Sequence, residues 1–156
     1  MAQRAAIVTG ASSGIGLAIA EMLGMEGYGL TVAARRPDKL EAAADGLRAQ
    51  GFDVQHIAGN LGDEDTIAGV VRAHEERFGR CDVLVNNAGV GMGEVADQLS
   101  TKKIDIQLAT NLRSIFLFYR EALPLLRRAG EEHRNALVVN TSSISGIRGE
   151  AWLSVY

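Results

Sequence analysis

The chain has 156 residues, of which 47% are hydrophobic, and this is enough for one domain with a buried core. Its net charge of −3 is the opposite of what a nucleic-acid-binding surface requires, and no apolar run comes near the roughly 20 residues of a membrane helix. The first residues lack the charged and then apolar pattern of a secretion signal, so we expect a cytoplasmic protein that binds neither nucleic acid nor membrane.

Strands and helices are predicted to alternate along the chain. Nearly continuous apolar runs predict strands at residues 5–8, 29–34, 53–58, 83–85 and 136–140. Apolar residues at helical spacing predict helices at residues 17–23, 37–47, 63–78 and 101 to about 128. The alternation predicts an α/β fold in a single domain, residues 1–156. We expect a doubly wound parallel sheet of Rossmann type with strand order 3-2-1-4-5, which binds ligands at the carboxyl ends of its strands.

Cysteine and histidine are too sparse to predict a metal site. The single cysteine, Cys81, lies beside a predicted buried strand and is expected to pack in the core rather than act as a nucleophile. The histidines do not occur at zinc-ligand spacing, and we expect all three at the surface. They are His56, His74 and His133.

A glycine-rich stretch, Thr9-Gly10-Ala11-Ser12-Ser13-Gly14-Ile15-Gly16, joins the first strand to the first helix. Glycine permits a sharp turn at Gly10 and lets a phosphate approach the free amides at the start of the helix, where the helix dipole is positive. The stretch therefore predicts a dinucleotide site, with an ordinary tight turn or another phosphate site as the alternative. The candidate residues are Gly10, Ser12, Ser13, Gly14, Ile15 and Gly16.

Four motifs in order resemble those of the short-chain dehydrogenase/reductase family. The glycine stretch fits its T-G-x-x-x-G-x-G loop, and Asn86-Asn87-Ala88-Gly89 fits its N-N-A-G. Asn111 fits the helix asparagine of the family, and Ser143 precedes Tyr156 by the thirteen residues that are usual there. The resemblance runs from residue 5 to residue 156.

The resemblance implies hydride transfer between a nicotinamide cofactor and a carbonyl or alcohol carbon. Tyr156 is then the proton donor or acceptor, Ser143 holds the substrate oxygen, and Asn111 holds a water of the proton relay. Asn87, Ala88 and Gly89 line the ribose and nicotinamide. The substrate is a small molecule whose identity the sequence does not give.

The family also uses a lysine four residues after the tyrosine, which lies outside these 156 residues. We therefore expect the chain to be the N-terminal portion of a longer protein, in which the final strands and helices complete the sheet. The alternative is a non-catalytic NADP-binding module with an incomplete active site.

Arg35 and Arg36 follow the second strand, where enzymes that use NAD place a carboxylate. Guanidinium groups can bind a 2′-phosphate, so NADP(H) is favoured over NAD(H), although both arginines could simply be solvated. Asn60 stands where the family has an aspartate for the adenine amino group, and its side-chain oxygen can still accept that bond. The resemblance implies that the backbone of Leu61 also helps to bind the adenine amino group.

The predicted helix from Thr101 has apolar residues around more than one face, so it needs a partner besides its own sheet. In the family this helix packs against its copy, which implies a homodimer or homotetramer. Coverage by a C-terminal segment of the same chain is the alternative.

Overall fold

Five parallel strands form one sheet in the order β3-β2-β1-β4-β5 in the computed structural model, which describes residues 3–156. The predicted fold class and strand order are confirmed. The strands are β1 (Ala5–Thr9), β2 (Gly29–Ala34), β3 (Val54–Ala58), β4 (Val83–Asn86) and β5 (Leu137–Asn140). The helices are α1 (Gly14–Met25), α2 (Pro37–Ala49), α3 (Glu64–Phe78), α4 (Thr101–Leu108) and α5 (Ser114–His133).

The centre of the sheet is buried on both faces because its strands are continuous apolar runs. Successive side chains of a strand point to opposite faces. In β1, Ala6 and Val8 pack on the face that α1 and α2 cover, and Ile7 packs on the face that α3 and α5 cover. All five residues of β1 and all six of β2 are buried. The site-forming ends of the strands therefore rest on a rigid core.

The predicted long helix differs from the observed one in two ways. It extends to His133 rather than ending near Arg128, and a π-helical turn at Ala109–Arg113 separates α4 from α5. A π turn carries an extra residue per turn, which periodicity in the sequence does not reveal, and such turns are frequent at functional sites. Asn111 lies inside this turn.

The expectation of three surface histidines is wrong for His74, which is fully buried. His74 follows Ile67 and Val70 at helical spacing and faces the sheet with them. Its Nε2 donates to the Arg80 carbonyl at 2.8 Å, and its Nδ1 accepts from the Thr31 hydroxyl at 2.6 Å. These two bonds satisfy the neutral ring, which is why a polar residue occupies a core position.

The edge strand β5 is less covered than the rest of the sheet. Leu137 is 56% exposed and Val139 is 37% exposed, on the face where their neighbours Val83 and Val85 are buried.

Within residues 3–156, no helix has both the length and the apolar composition needed to cross a membrane. The same residues contain no group of three or more His, Cys, Asp or Glu side chains placed to hold a metal ion.

Candidate active site

The turn between β1 and α1 brings backbone unusually close to backbone. Gly10 has a φ of +69°, and Gly14 a φ of +57°, in the left-handed region that favours glycine. A Cβ on Gly16 would lie 2.5 Å from both the Gly10 carbonyl oxygen and the Asn87 side-chain nitrogen. Glycine is therefore required here for packing as well as for the turn.

The start of α1 is open to an anion. Its N-cap residue, Ser13, makes no side-chain hydrogen bond to the helix, and the first turn carries no acidic residue. The first amides of a helix have no partner within it, and they carry the positive end of the helix dipole. This end of α1 can thus bind a phosphate.

Thr9 and Asn87 join the carboxyl ends of β1 and β4. The Thr9 hydroxyl accepts hydrogen bonds from the amides of Asn87 and Ala88 at 2.9 and 3.0 Å, and donates to the Val85 carbonyl at 3.2 Å. The Asn87 side chain donates to the Thr9 carbonyl at 3.1 Å. Just after β5, the Thr141 hydroxyl donates to Asn87 Oδ1 at 3.1 Å. These bonds fix the N-N-A-G stretch beside the glycine loop.

A cavity of about 680 Å³ lies along this edge of the sheet. It collects all the predicted site residues except Gly14, Gly16 and Asn111. The predicted residues that line it are Gly10, Ser12, Ser13, Ile15, Arg35, Arg36, Asn60, Leu61, Asn87, Ala88, Gly89, Ser143 and Tyr156. Asn111 lines an adjoining cavity of about 150 Å³ together with Ser143 and Tyr156.

Sequence reasoning missed two residues of the large cavity on the helix that carries Asn111. Ile106 and Thr110 both line it. They are four residues apart and so share one helix face, and Thr110 adjoins Asn111. This four-residue spacing is the feature of the sequence that could have indicated that both residues line the site.

Arg35 and Arg36 line the cavity just beyond β2, and both are exposed. Arg36 is the N-cap residue of α2, which begins at Pro37. Neither guanidinium forms an ion pair with a carboxylate of the described chain. Two positive charges without internal partners can therefore meet an anionic ligand here.

Asn60 closes a short turn after β3. Its Oδ1 accepts a hydrogen bond from the amide of Gly62 at 3.2 Å, and the Arg113 guanidinium donates to the Gly62 carbonyl at 2.7 Å. One lone pair of Asn60 Oδ1 is thus already used, while the second remains for a ligand. Arg113 belongs to the π turn, so that turn also supports the loop after β3.

Ser143 and Tyr156 both border the two cavities. Ser143 is half-buried and caps the short 3₁₀ turn Ile144–Gly146, with its Oγ accepting from the Ser145 amide at 3.2 Å. The hydroxyls of Ser143 and Ser145 are 3.3 Å apart. The ring of Tyr156 lies close to Gly91, where a Cβ would be 3.7 Å from it. A hydroxyl and a phenol therefore face one chamber.

Asn111 is bound to the segment that follows β4. Its Nδ2 donates to the Val90 carbonyl and its Oδ1 accepts from the Val90 amide, each at 2.8 Å. The asparagine side chain thus fixes the chain just after Gly89.

The thiol of Cys81 is not suited to act as a nucleophile, because burial raises its pKa to about 12.

Comparison with known proteins identifies the family to which this arrangement belongs. The family model described as short chain dehydrogenase matches residues 4–156. The chain belongs to this family. The predicted resemblance is therefore confirmed, and the observed sheet is the one expected for a short-chain dehydrogenase.

Among similar short-chain dehydrogenases are reductases of carbonyl compounds. A 3-oxoacyl-[acyl-carrier-protein] reductase of Staphylococcus aureus is 35% identical over 147 residues, which are 94% of this chain and 58% of that protein. The granaticin polyketide synthase putative ketoacyl reductase 1 of Streptomyces violaceoruber is 37% identical over 95% of this chain and 54% of its own length. The chain therefore spans a little over half the length of these relatives.

Solved structures give the same result. L-sorbose reductase from Gluconobacter frateurii, complexed with NADPH and L-sorbose, superimposes with a TM-score of 0.92 at 29% identity. The match covers 100% of this chain and 58% of that one. A 3-ketoacyl-(acyl-carrier-protein) reductase from Brucella melitensis, complexed with NADH, has a TM-score of 0.90 at 26% identity over 99% of this chain and 63% of that one.

Proposed function

We propose that the protein is an oxidoreductase that transfers hydride between NADP(H) and a carbonyl or secondary alcohol group of a small molecule. The observation that carries this proposal is that one cavity is lined by residues of the glycine loop, by the two arginines and by Ser143 and Tyr156. The relatives named above as reductases of oxoacyl, ketoacyl and sugar substrates support it.

The residues present fit a dinucleotide. Gly10, Ser12 and Ser13 of the glycine loop line the cavity, and the uncapped start of α1 offers amides to a pyrophosphate. Asn60 and Leu61 would hold the adenine, and Asn87, Ala88 and Gly89 would hold the ribose and nicotinamide. One cavity is lined by both groups of residues.

Arg35 and Arg36 favour NADP(H) over NAD(H). A guanidinium can form two charge-assisted hydrogen bonds to a phosphate, and within residues 3–156 neither arginine forms an ion pair that such binding would break. Similar structures were solved with NADPH and also with NADH, so the preference rests on these two side chains.

Ser143 and Tyr156 carry the chemistry of the carbonyl oxygen. The bound cofactor supplies the hydride to the carbonyl carbon. The Ser143 hydroxyl donates a hydrogen bond to the carbonyl oxygen, and Tyr156 gives that oxygen its proton and later regains one from water. Asn111 supports the proton path from the adjoining cavity, where it lies with both residues.

The described residues form one NADP-binding domain, which we propose is the N-terminal portion of a longer protein. The exposed apolar side chains of Leu137 and Val139 support this, because further strands and a helix would bury them. Relatives of which the matched part makes up only 58% and 54% support it as well.

A second copy of the protein is the proposed partner of the helical segment at residues 101–133. Leu108, Leu112 and Phe116 succeed one another at four-residue spacing and are 44%, 52% and 65% exposed, and Leu123 continues the row at 41%. An apolar row of this kind on a helix indicates an interface. A homodimer, or a homotetramer built from it, is expected.

Measurements of both turnover and NADPH binding distinguish an active oxidoreductase from a module that binds the nucleotide without catalysing a reaction. The intact protein is mixed with NADPH or NADH and a panel of ketones and β-keto esters, and nucleotide oxidation is followed by absorbance. We expect oxidation that depends on the ketone and is faster with NADPH. Tight NADPH binding without turnover of any ketone would favour the non-catalytic module.

A further inference from the structure

Three side chains on one face of the helical segment at residues 101–133 bind the chain segment 90–94. The three side chains are four residues apart on the helical segment. Each contacts one residue of the segment 90–94, and the contacted residues are two apart and run in the opposite direction. We call these contacts the side-chain ladder. Its rungs are Asn111 with both backbone groups of Val90 at 2.8 Å, Gln107 Oε1 with the Met92 amide at 3.0 Å, and Lys103 Nζ with Glu94 Oε2 at 2.8 Å.

The spacing of the ladder follows from the geometry of the two backbones. Four residues of a helix advance by about 6 Å, and two residues of an extended chain advance by about 6.6 Å. The rungs therefore stay in register over all three contacts.

Gln107 is the buried rung, with an exposure of 1%. Both ends of its amide are used, because Nε2 donates to the Lys103 carbonyl at 3.2 Å while Oε1 accepts from Met92. An apolar side chain of similar size would fill the same space but would leave the Met92 amide without its partner. Glutamine at this position thus has a purpose that packing alone does not explain.

The segment that the ladder holds forms a wall of the candidate active site. Val90 and Gly91 line the large cavity, and the Tyr156 ring lies beside Gly91. The amide of Glu94 donates to the Trp152 carbonyl at 2.9 Å, which connects this wall to the loop before Tyr156. A shift of the wall would therefore move the surface that meets a substrate next to the phenol.

We propose that Gln107 is a positioning residue for the substrate: through Met92 it fixes the Val90–Gly91 wall beside Tyr156 and so determines the KM for the carbonyl compound. This inference rests on the proposed function. Among the described residues the Gln107 side chain bonds to Met92 and Lys103, neither of which belongs to the proposed cofactor site, so cofactor binding should not depend on Gln107.

The test compares Gln107→Leu, Gln107→Glu and the control Gln98→Leu in the intact protein, with NADPH and ethyl acetoacetate as the probes. Gln98 is exposed and lies outside the ladder and the cavities, so its change is chemically matched. Loss of one hydrogen bond to a buried amide typically changes an equilibrium about fivefold to tenfold. We expect Gln107→Leu to raise the KM for the ester by that factor, with kcat and the Kd for NADPH within about twofold of wild type.

Gln107→Glu provides the conservative rescue. A buried carboxylic acid in its neutral form presents a carbonyl oxygen to Met92 and a hydroxyl to the Lys103 carbonyl, as glutamine does. We therefore expect a KM near that of wild type. A Gln107→Leu variant with unchanged KM would overturn the proposal, and so would one that weakens NADPH binding as much as substrate binding.

Hydrogen exchange at the Met92 amide reports on the ladder without turnover. We expect this amide to be protected in wild type and in Gln107→Glu, and to exchange at least about tenfold faster in Gln107→Leu. An unprotected Met92 amide in wild type would contradict the ladder. A protected amide in a protein that turns over no ketone would instead contradict the proposed function and, with it, the role of Gln107 in substrate binding.

Discussion

A methyl group on Gly16 would lie 2.5 Å from the carbonyl oxygen of Gly10, because the two glycines face each other across the turn between β1 and α1. We expect Gly16→Ala to destabilise the protein by about 1–3 kcal/mol, as overpacking does, and to weaken NADPH binding. Gly69 is the matched control, since it lies in α3 with no atom within 4 Å of a Cβ. Gly69→Ala should stabilise by about 0.5–1 kcal/mol. Urea unfolding measures the stability change of each variant. Equal changes for Gly16→Ala and Gly69→Ala would contradict the close approach of Gly16 to Gly10.

Arg35→Asp is expected to shift cofactor preference toward NADH. The substitution removes a partner of the 2′-phosphate and adds a carboxylate that can bind ribose hydroxyls and repel phosphate. We expect the ratio of kcat/KM for NADPH to that for NADH to fall at least about tenfold, since hydrogen bonds to charged groups contribute about 1.5–3 kcal/mol. Arg72→Asp, on the exposed face of α3, makes the same charge change outside the cavity. A ratio that Arg35→Asp leaves unchanged would remove the basis for preferring NADP(H).

His74 should make stability depend on pH in a definite direction. Burial lowers its pKa from 6.5 to about 4, partly offset by the bond to the Arg80 carbonyl. The unfolded chain therefore binds the proton at higher pH than the folded one does, and stability falls as pH decreases from about 6.5 to 4. Between pH 7 and pH 5 we expect the titration of His74 to lower the free energy of unfolding by about 2 kcal/mol.

His74→Gln removes the titration and supplies the control. Urea unfolding of wild type and variant at pH 7 and pH 5 gives the difference between their pH dependences. The variant should lose less stability than wild type over this interval. An identical loss in both proteins would mean that His74 does not titrate as its buried position requires.

Phe116→Lys is expected to separate the proposed dimer. The substitution places a charge in the exposed apolar row of the helical segment at residues 101–133, and burial of an unpaired charge opposes association. Met25→Lys is the control, because Met25 is exposed to a similar extent, 66% against 65%, but lies on α1. Light scattering should give half the mass for Phe116→Lys and an unchanged mass for Met25→Lys. A protein that is monomeric before any substitution would favour coverage of this row by a segment of the same chain.

The sequence predicted the sheet well because each central strand is an uninterrupted apolar run between clear turns. Val83, Leu84 and Val85 illustrate this, since a run buried on both faces has no competing amphipathic interpretation. The glycine loop was also predictable, as its spacing requires a turn at Gly10. The cavity then brings together residues that are far apart in the chain, such as Arg35 and Ser143, because both lie just beyond the carboxyl ends of strands.

The parts that sequence reasoning missed depend on side-chain partners. A buried histidine such as His74 looks like a surface residue until Thr31 and the Arg80 carbonyl are known to satisfy it. The π turn around Asn111 and the role of Gln107 are similar cases, since both depend on which backbone groups lie opposite the helix. Single-sequence periodicity contains no such information.

The most direct test of the central claim is the rate at which NADPH is oxidised in the presence of a reactive ketone by wild type and by Tyr156→Phe. The variant keeps the ring beside Gly91 and loses only the hydroxyl that gives the carbonyl oxygen its proton. We expect turnover to fall by about 10²–10⁴-fold, as for loss of a general acid, while the Kd for NADPH stays within about twofold. Equal turnover in the two proteins would contradict the assignment of Tyr156 as the proton donor, and with it the proposed mechanism.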